Sequence, residues 1–252
     1  MYDVERQNKI IELLKQRKSI SVQKLVELLY ISPATARRDL SALEKRGVVK
    51  RTFGGAVLAE ASNEENNLVI QEQIMVKSKR YMCEKCASLI SNNQSVFLDS
   101  SSTVANLVPF LSDFHYLSIV TNGLNISALI SKNTNFRVFS VGGEIVARSN
   151  STIGPVAQRV LSQFHCDICI HSCSGIDIQS GVTEGSLEQS SVKETMLKNS
   201  SIKILLADCT KFGKSFLSKT CDIKEYDILI TDQKPAQEYI DYCLKNEVKL
   251  MY

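Results

Sequence analysis

Apolar and polar positions follow a helical period from the start of the chain. In residues 3–19, DVERQNKIIELLKQRKS, an apolar side is supplied by Val4, Ile10, Ile11, Leu13 and Leu14. Ser21 is placed to cap a second helix running to about Leu29, and Tyr30-Ile31 makes a turn. Ser32 followed by Pro33 is a second start signal, a cap and then proline at the first helical position. The third helix is expected from Pro33 to about Arg46, with Gly47 ending it. On this helix Ala36, Leu40 and Leu43 share the inward stripe. Ala34, Arg38, Ser41 and Lys45 lie opposite, with Thr35 and Arg37 on the flanks. VVKR and AVL then read as two short strands joined by Thr52-Phe53-Gly54-Gly55. The pattern over residues 1–58 is that of a winged helix-turn-helix.

Residues 59–67, AEASNEENN, carry few large apolar side chains, so a linker is expected over 59–72 and a second domain over 73–252. There the pattern alternates. Strands are expected at 95–99, 117–121, 136–141, 166–170, 202–207 and 227–231. Helices are expected near 72–91, from after 99 to Leu111, after Asn122, and near 154–163, 187–199 and 235–245. Apolar strands alternating with helices imply an α/β fold with a doubly wound, mostly parallel sheet.

Charge sharpens this division. Of 30 Lys+Arg and 27 Asp+Glu, residues 1–58 hold 12 and 6, so a basic head precedes a mildly acidic body. A polyanion partner is implied for the head alone. Small residues at the start of the third helix let its backbone approach a major groove, and arginines there take phosphates or guanine edges. The DNA-facing candidates are Ser32, Ala34, Thr35, Arg37, Arg38, Ser41 and Lys45 on that helix, with Lys50 and Arg51 on the wing. The alternative is a small three-helix bundle that binds a protein; the basic charge, the caps and the wing favour duplex DNA.

No apolar run reaches the ~18 residues of a membrane span. The charged, helix-patterned N-terminus does not read as a signal peptide, so a cytoplasmic protein without a membrane partner is expected. The eight cysteines raise the question of zinc, chiefly at Cys166, Cys169 and Cys173 with His165 and His171. DICI reads as a buried strand on which Cys166 and Cys169 would diverge, and free buried cysteine is common in reduced proteins. No metal and no cofactor is expected.

Ligands of doubly wound sheets bind beyond the carboxyl ends of the strands. Those ends carry Asp99-Ser100-Ser101-Ser102-Thr103, Thr121-Asn122-Gly123, Gly142-Gly143, Gly175-Ile176-Asp177 with Gly181-Val182-Thr183, and Asp208 with Lys211. Each alone reads as a cap or a turn. Together, at successive strand ends, they suggest a polar pocket for an anion. KFGKS lacks the leading glycine of a phosphate-binding Walker loop, and HSCSG does not match a nucleophile elbow.

Residues 6–58 resemble the DeoR family of bacterial transcription regulators, through Ser32, Thr35, Arg37-Arg38-Asp39-Leu40, Leu43, Gly47 and Gly54-Gly55-Ala56. The stretches LDSSST, IVTNGLNI, VGG, GID…GVT, SVKETM and LLADCTKFG extend the resemblance over nearly the whole chain. It implies a sensor domain similar to ribose-5-phosphate isomerase that takes a phosphorylated sugar or related metabolite. By that resemblance Asp99, Ser102 and Thr103 form a phosphate loop, and Thr121, Asn122, Gly142, Gly143, Gly175, Lys193, Asp208 and Lys211 line the rest. It also implies a repressor of sugar-metabolism genes that binds operator DNA as a homo-oligomer, a dimer or a tetramer. Three positions depart from the family pattern: Tyr30 and Ser101 stand where glycine is usual, and Gln189 where a glutamate is common. The alternatives are a sugar-phosphate isomerase, against which Gln189 and the DNA-binding head both weigh, and an activator or a regulator with a decayed pocket.

Overall fold

The computed structural model describes residues 3–45, 48–58, 71, 74–132 and 135–252. The expected helix stop at Gly47 and, apart from Gln71, the 59–72 linker lie outside these residues. Two compact units result, one before and one after the linker.

The first unit contains α1 (Asp3–Arg17), β1 (Ser19–Ser21), α2 (Val22–Leu29), α3 (Pro33–Lys45), β2 (Val49–Thr52) and β3 (Gly55–Leu58). Both expected caps form. Ser21 Oγ accepts from the Lys24 N–H at 3.1 Å, and Ser32 Oγ from the Thr35 N–H at 3.1 Å. Ala36, Leu40 and Leu43 are fully buried with Ile10, Leu14 and Leu25 in one core. The turn between α2 and α3 is made by Tyr30 in the left-handed region, φ 53° and ψ 47°. β1 was not expected. It pairs with β3, so the β2–β3 wing belongs to a three-stranded antiparallel sheet ordered β1-β3-β2. The two glycines of the wing have separate tasks. Gly54 supplies the positive φ of the turn, +83°, while a Cβ on Gly55 would lie 2.2 Å from the Ile20 carbonyl oxygen.

The second unit is built on a seven-stranded sheet whose paired neighbours all run parallel. Its strands are β4 (Ser95–Leu98), β5 (Ser118–Thr121), β6 (Arg137–Ser140), β9 (Cys166–Ser172), β12 (Ser200–Leu206), β14 (Ile228–Ile230) and β15 (Lys249–Met251), in the order β15-β14-β12-β9-β4-β5-β6. Alternate side chains divide into two core layers, as strands buried on both faces require. Phe97, Val120, Cys169, Leu205 and Leu229 meet α7 (Gly154–Leu161), α8 (Leu187–Lys198) and α9 (Gln237–Lys245). Leu98, Ile119, Ile170, Ile204 and Ile230 meet α4 (Val76–Ala87), α5 (Ser102–Ala105) and α6 (Leu124–Ile130).

Five details differ from the sequence expectation. The helix expected to reach Leu111 is broken into α5 and a 3-10 turn, Val108–Leu111, that holds Pro109. The edge strand β15 is additional. So are a hairpin, β7 (Glu144–Val146) with β8 (Ser151–Ile153), and a small antiparallel sheet of β10 (Gly175–Asp177), β11 (Gly181–Glu184) and β13 (Ser218–Cys221). Cys166 and Cys169, expected to diverge, belong to the same core layer. Burial pushes the thiols of Cys166 and Cys173 up to about 12, far from the thiolate that binds metals. No helix among the described residues is long and apolar enough to cross a membrane.

Candidate functional site

The first candidate surface is the outer face of α3 with the wing. Ser32, Ala34, Arg37, Arg38 and Lys50 are exposed there, and Thr35 and Ser41 are half-buried. The Lys45 side chain lies outside the described ones. Arg51 does not extend outward as the sequence suggested. Its Nη1 donates to Ser41 Oγ at 3.1 Å and to the Arg37 carbonyl at 3.5 Å, while its backbone N–H donates to Glu44 Oε1 at 3.2 Å. Arg51 therefore braces the wing against α3, and Ser41 is spent on the brace. Glu44, which the sequence did not single out, is its second anchor.

The second candidate is the row of strand ends in the α/β unit. Asp99, which follows β4, is fully buried and organises two loops at once. Its Oδ1 accepts the Ser101 N–H at 2.9 Å, and its Oδ2 accepts the Ser172 N–H at 2.9 Å. Burial works against the Asp99 charge, but Lys193 and these bonds outweigh it and hold the carboxyl below its ordinary value. Lys193 reaches the same place from α8. Its ammonium lies 3.0 Å from Asp99 Oδ2, 2.5 Å from Glu184 Oε1 and 2.7 Å from the Ser172 carbonyl oxygen. An ammonium has three protons, so three acceptors saturate it. Burial opposes its charge, while Asp99 and Glu184 together raise its pKa above the ordinary lysine value. Lys193 is thus a post that ties β4, β9, β11 and α8 together.

Glu184 closes β11 one residue beyond the GVT that the sequence picked out, and its Oε2 accepts from Ser174 Oγ at 2.7 Å. Lys79 was also missed. It shares a buried stripe of α4 with Met82, Cys83 and Cys86, and its Nζ donates to Ser102 Oγ at 2.8 Å. A lysine in the middle of an apolar stripe is the signal that would have found it. Thr103 completes the group, accepting at Oγ1 from Ser172 Oγ at 3.2 Å. Ser101 adopts φ −68° and caps the Val104 N–H at 3.2 Å, so this loop does not need the conformational freedom of glycine.

The remaining expected residues divide between lining and support. Thr121 Oγ1 accepts the Gly123 N–H at 3.0 Å. Asn122 donates to the Thr152 carbonyl at 3.0 Å, and its buried Oδ1 has no partner among the described residues. Gly142 is exposed, with open space where a side chain would be. Gly143 and Gly175 are close-approach glycines: a Cβ would sit 2.5 Å from the Ile153 oxygen and 2.3 Å from the Lys214 oxygen, respectively. Asp208 is buried and binds both the Thr210 N–H, at 3.0 Å, and the Thr210 hydroxyl, with Lys211 half-buried on the same turn. Gln189 Nε2 donates to Ser151 Oγ at 2.7 Å and to Ser149 Oγ at 3.1 Å, fixing the β7–β8 hairpin to α8. Below Asp99, His171 lies in the sheet against Cys169 Sγ at 3.0 Å and Tyr226 Oη at 3.4 Å.

Two family descriptions fit this arrangement. Residues 6–62 match the DeoR-like helix-turn-helix domain, and residues 74–233 match the DeoR C terminal sensor domain. The chain belongs to the DeoR family. It is 33% identical to the HTH-type transcriptional regulator GolR of Listeria innocua, over 93% of this chain and 92% of that protein. It is 30% identical to the Glycerol-3-phosphate regulon repressor of Escherichia coli, over 99% of both chains. It is also 30% identical to the HTH-type transcriptional repressor GlcR of Bacillus subtilis, over 100% of this chain and 96% of that one. Ribose 5 phosphate isomerase A from Neisseria gonorrhoeae aligns over 59% of this chain and 56% of its own, at 16% identity and a TM-score of 0.41. As a DeoR-family member the chain is a DNA-binding transcription regulator, and α2, the Tyr30 turn and α3 lie within the matched helix-turn-helix domain, followed by the wing.

Proposed function

We propose that this DeoR-family chain represses sugar-metabolism genes, with residues 1–58 reading an operator and residues 73–252 binding a phosphorylated sugar that changes DNA affinity. On the DNA side the reading rests on the exposure of Arg37, Arg38 and Lys50 beside the small residues Ser32, Ala34 and Thr35. One α3 reads one half-site, so two copies would bind a two-fold operator. Arg38→Ala is expected to weaken retardation of a bound duplex severalfold or more; unchanged affinity would reject its assignment.

The observation that carries the sensing half is the buried ammonium of Lys79, 2.8 Å from Ser102 Oγ in the hydroxyl-rich loop Ser100–Thr103. A cation behind a row of hydroxyls at strand ends suits a phosphate monoester. Thr121, Asn122, Gly142 and Lys211 then face the sugar, while Asp99, Lys193, Gly143, Gly175 and Asp208 hold the walls in place. Turnover is not expected. Asp99 and Glu184 are both committed to Lys193, and the neutral Gln189 supplies no general base.

A thermal-shift panel of phosphorylated sugars, each paired with its unphosphorylated form, tests this. A ligand that binds only the folded protein raises the melting temperature. The phosphorylated member of at least one pair is expected to do so, and Lys79→Met to remove the difference. No shift with any phosphosugar would reject the sensing half.

A further inference from the structure

Phe53 is the most exposed large apolar side chain among the described residues, and no described residue of the first unit covers it. It sits at the tip of the wing, between β2 and Gly54. The tip is not a loose arm. The Gly54 carbonyl accepts from the Val22 N–H at 2.8 Å, and Gly55 pairs with Ser21 across the three-stranded sheet. Between this tip, the start of α2 and the first turns of α3 lies a cleft of about 510 Å³, with Gln23, Val26, Pro33, Arg37, Arg51 and Phe53 among its walls. Among the described residues, the cleft wall holds two arginines and no carboxylate. Arg37 belongs both to this wall and to the exposed face of α3, so cleft and DNA-reading face are one continuous surface.

We infer that Phe53 is a DNA-contacting residue, an apolar wedge that the wing presents to the minor groove while α3 occupies the neighbouring major groove. This rests on the DNA-reading role of α3. The cleft would take the sugar–phosphate strand that separates the two grooves, with Arg37 on its phosphates. An exposed aromatic ring on a wing tip whose backbone is held in place, beside cations, suits a polyanion that also offers flat apolar faces, as sugars and partly unstacked bases do. Holding the wing-tip backbone in place beforehand reduces the ordering cost of binding. Minor-groove wedges kink the duplex, and pyrimidine–purine steps kink most readily. Phe53 would therefore add a preference for such steps beside the bases read by α3.

The test uses the full chain and duplexes recovered by binding from a random-sequence pool. Wild type, Phe53→Ala, Phe53→Leu and Arg38→Ala are compared on one recovered duplex for affinity, and by circular permutation for bending. Phe53→Ala is expected to lose about tenfold in affinity, the effect of burying one large apolar side chain. It should also bend the duplex less, with its melting temperature unchanged. Phe53→Leu should retain most of both properties. Replacing guanine by inosine at flanking positions removes the minor-groove amino group, and should strengthen wild type but not Phe53→Ala. Phe53→Ala that binds and bends like wild type, while Arg38→Ala fails, would overturn the wedge and leave the DNA-reading role standing. Recovery of no duplex by wild type would overturn both. Loss of a bound protein rather than of DNA binding in Phe53→Ala would mark Phe53 as a protein-docking residue and overturn the wedge.

Discussion

Arg6 on α1 holds Asp39 on α3 through two bonds, Nε to Oδ2 at 2.5 Å and Nη2 to Oδ1 at 2.9 Å, with both side chains buried. Asp39 is the aspartate of the RRDL run. Its neighbours Arg37 and Arg38 face outward, while Asp39 fixes the angle of the helix that carries them. Breaking a buried pair from one side leaves an uncompensated charge. Asp39→Ala should therefore destabilise the head by about 3–5 kcal/mol. Hydrogen exchange of the α3 amides would report this, with the sheet of the α/β unit as internal control. The double variant Arg6→Met with Asp39→Leu should cost less than Asp39→Ala alone.

Tyr30 stores local strain. It holds the left-handed conformation without being glycine, and its side chain is almost wholly exposed. Relieving a strained non-glycine residue recovers on the order of 1 kcal/mol, less the backbone freedom that glycine adds to the unfolded chain. Tyr30→Gly is expected to raise the stability of the head slightly. A loss of stability in denaturant titration would mean that the ring makes a contact that offsets the strain.

Lys193 has no proton to spare, so its removal should act on the strand ends it ties together before it acts on any ligand. Lys193→Met leaves Asp99 and Glu184 as buried carboxylates without their cation, and should destabilise the α/β unit by about 3 kcal/mol or more. Adding Glu184→Gln removes one of the two orphaned charges. The double variant should then be less destabilised than the sum of the single changes. Additive losses in urea unfolding would contradict the shared post.

His171 gives the α/β unit an acid limit. Burial, assisted by Lys193 and opposed by Asp99, pushes its imidazole pKa down to about 3. The unfolded chain takes up this proton from its ordinary value of about 6.5 downward, whereas the folded protein resists it. The stability contributed by the neutral ring is therefore complete above about pH 6.5 and declines toward about pH 3, with about 2 kcal/mol gone by pH 5. Asp99, also held below its ordinary value, adds a further loss at still lower pH. His171→Asn should flatten the slope of melting temperature between pH 6.5 and 5. An unchanged slope would contradict the buried neutral imidazole.

Local chemistry made most of the fold legible. Ser21, and Ser32 with Pro33, mark helix starts, and alternating apolar runs mark the parallel strands. What stayed hidden depends on partners distant in sequence. β1 is three residues, and its strand character comes from β3, some 36 positions on. GID, GVTE and SKTC are short and rich in small or charged residues, and become a sheet only when β13 meets β11. At the strand ends, the sequence brought forward Asp99 and Lys193, which lie 3.0 Å apart, but could not say how each charge is used. Lys193 looked like a ligand and is saturated by its neighbours. Lys79, which the sequence analysis did not single out, lies buried against Ser102. Arg51, expected at a phosphate, braces the wing instead.

We propose above that a phosphorylated sugar bound by the α/β unit changes the affinity of the head for DNA. Fluorescence anisotropy of a recovered duplex, titrated with the full chain in the presence of each phosphorylated sugar and its unphosphorylated form, tests it most directly. At least one phosphorylated member is expected to shift the dissociation constant severalfold while its unphosphorylated form does not. Lys79→Met is expected to bind the duplex normally but no longer respond. A dissociation constant indifferent to every phosphosugar, or a response that survives Lys79→Met unchanged, would contradict it.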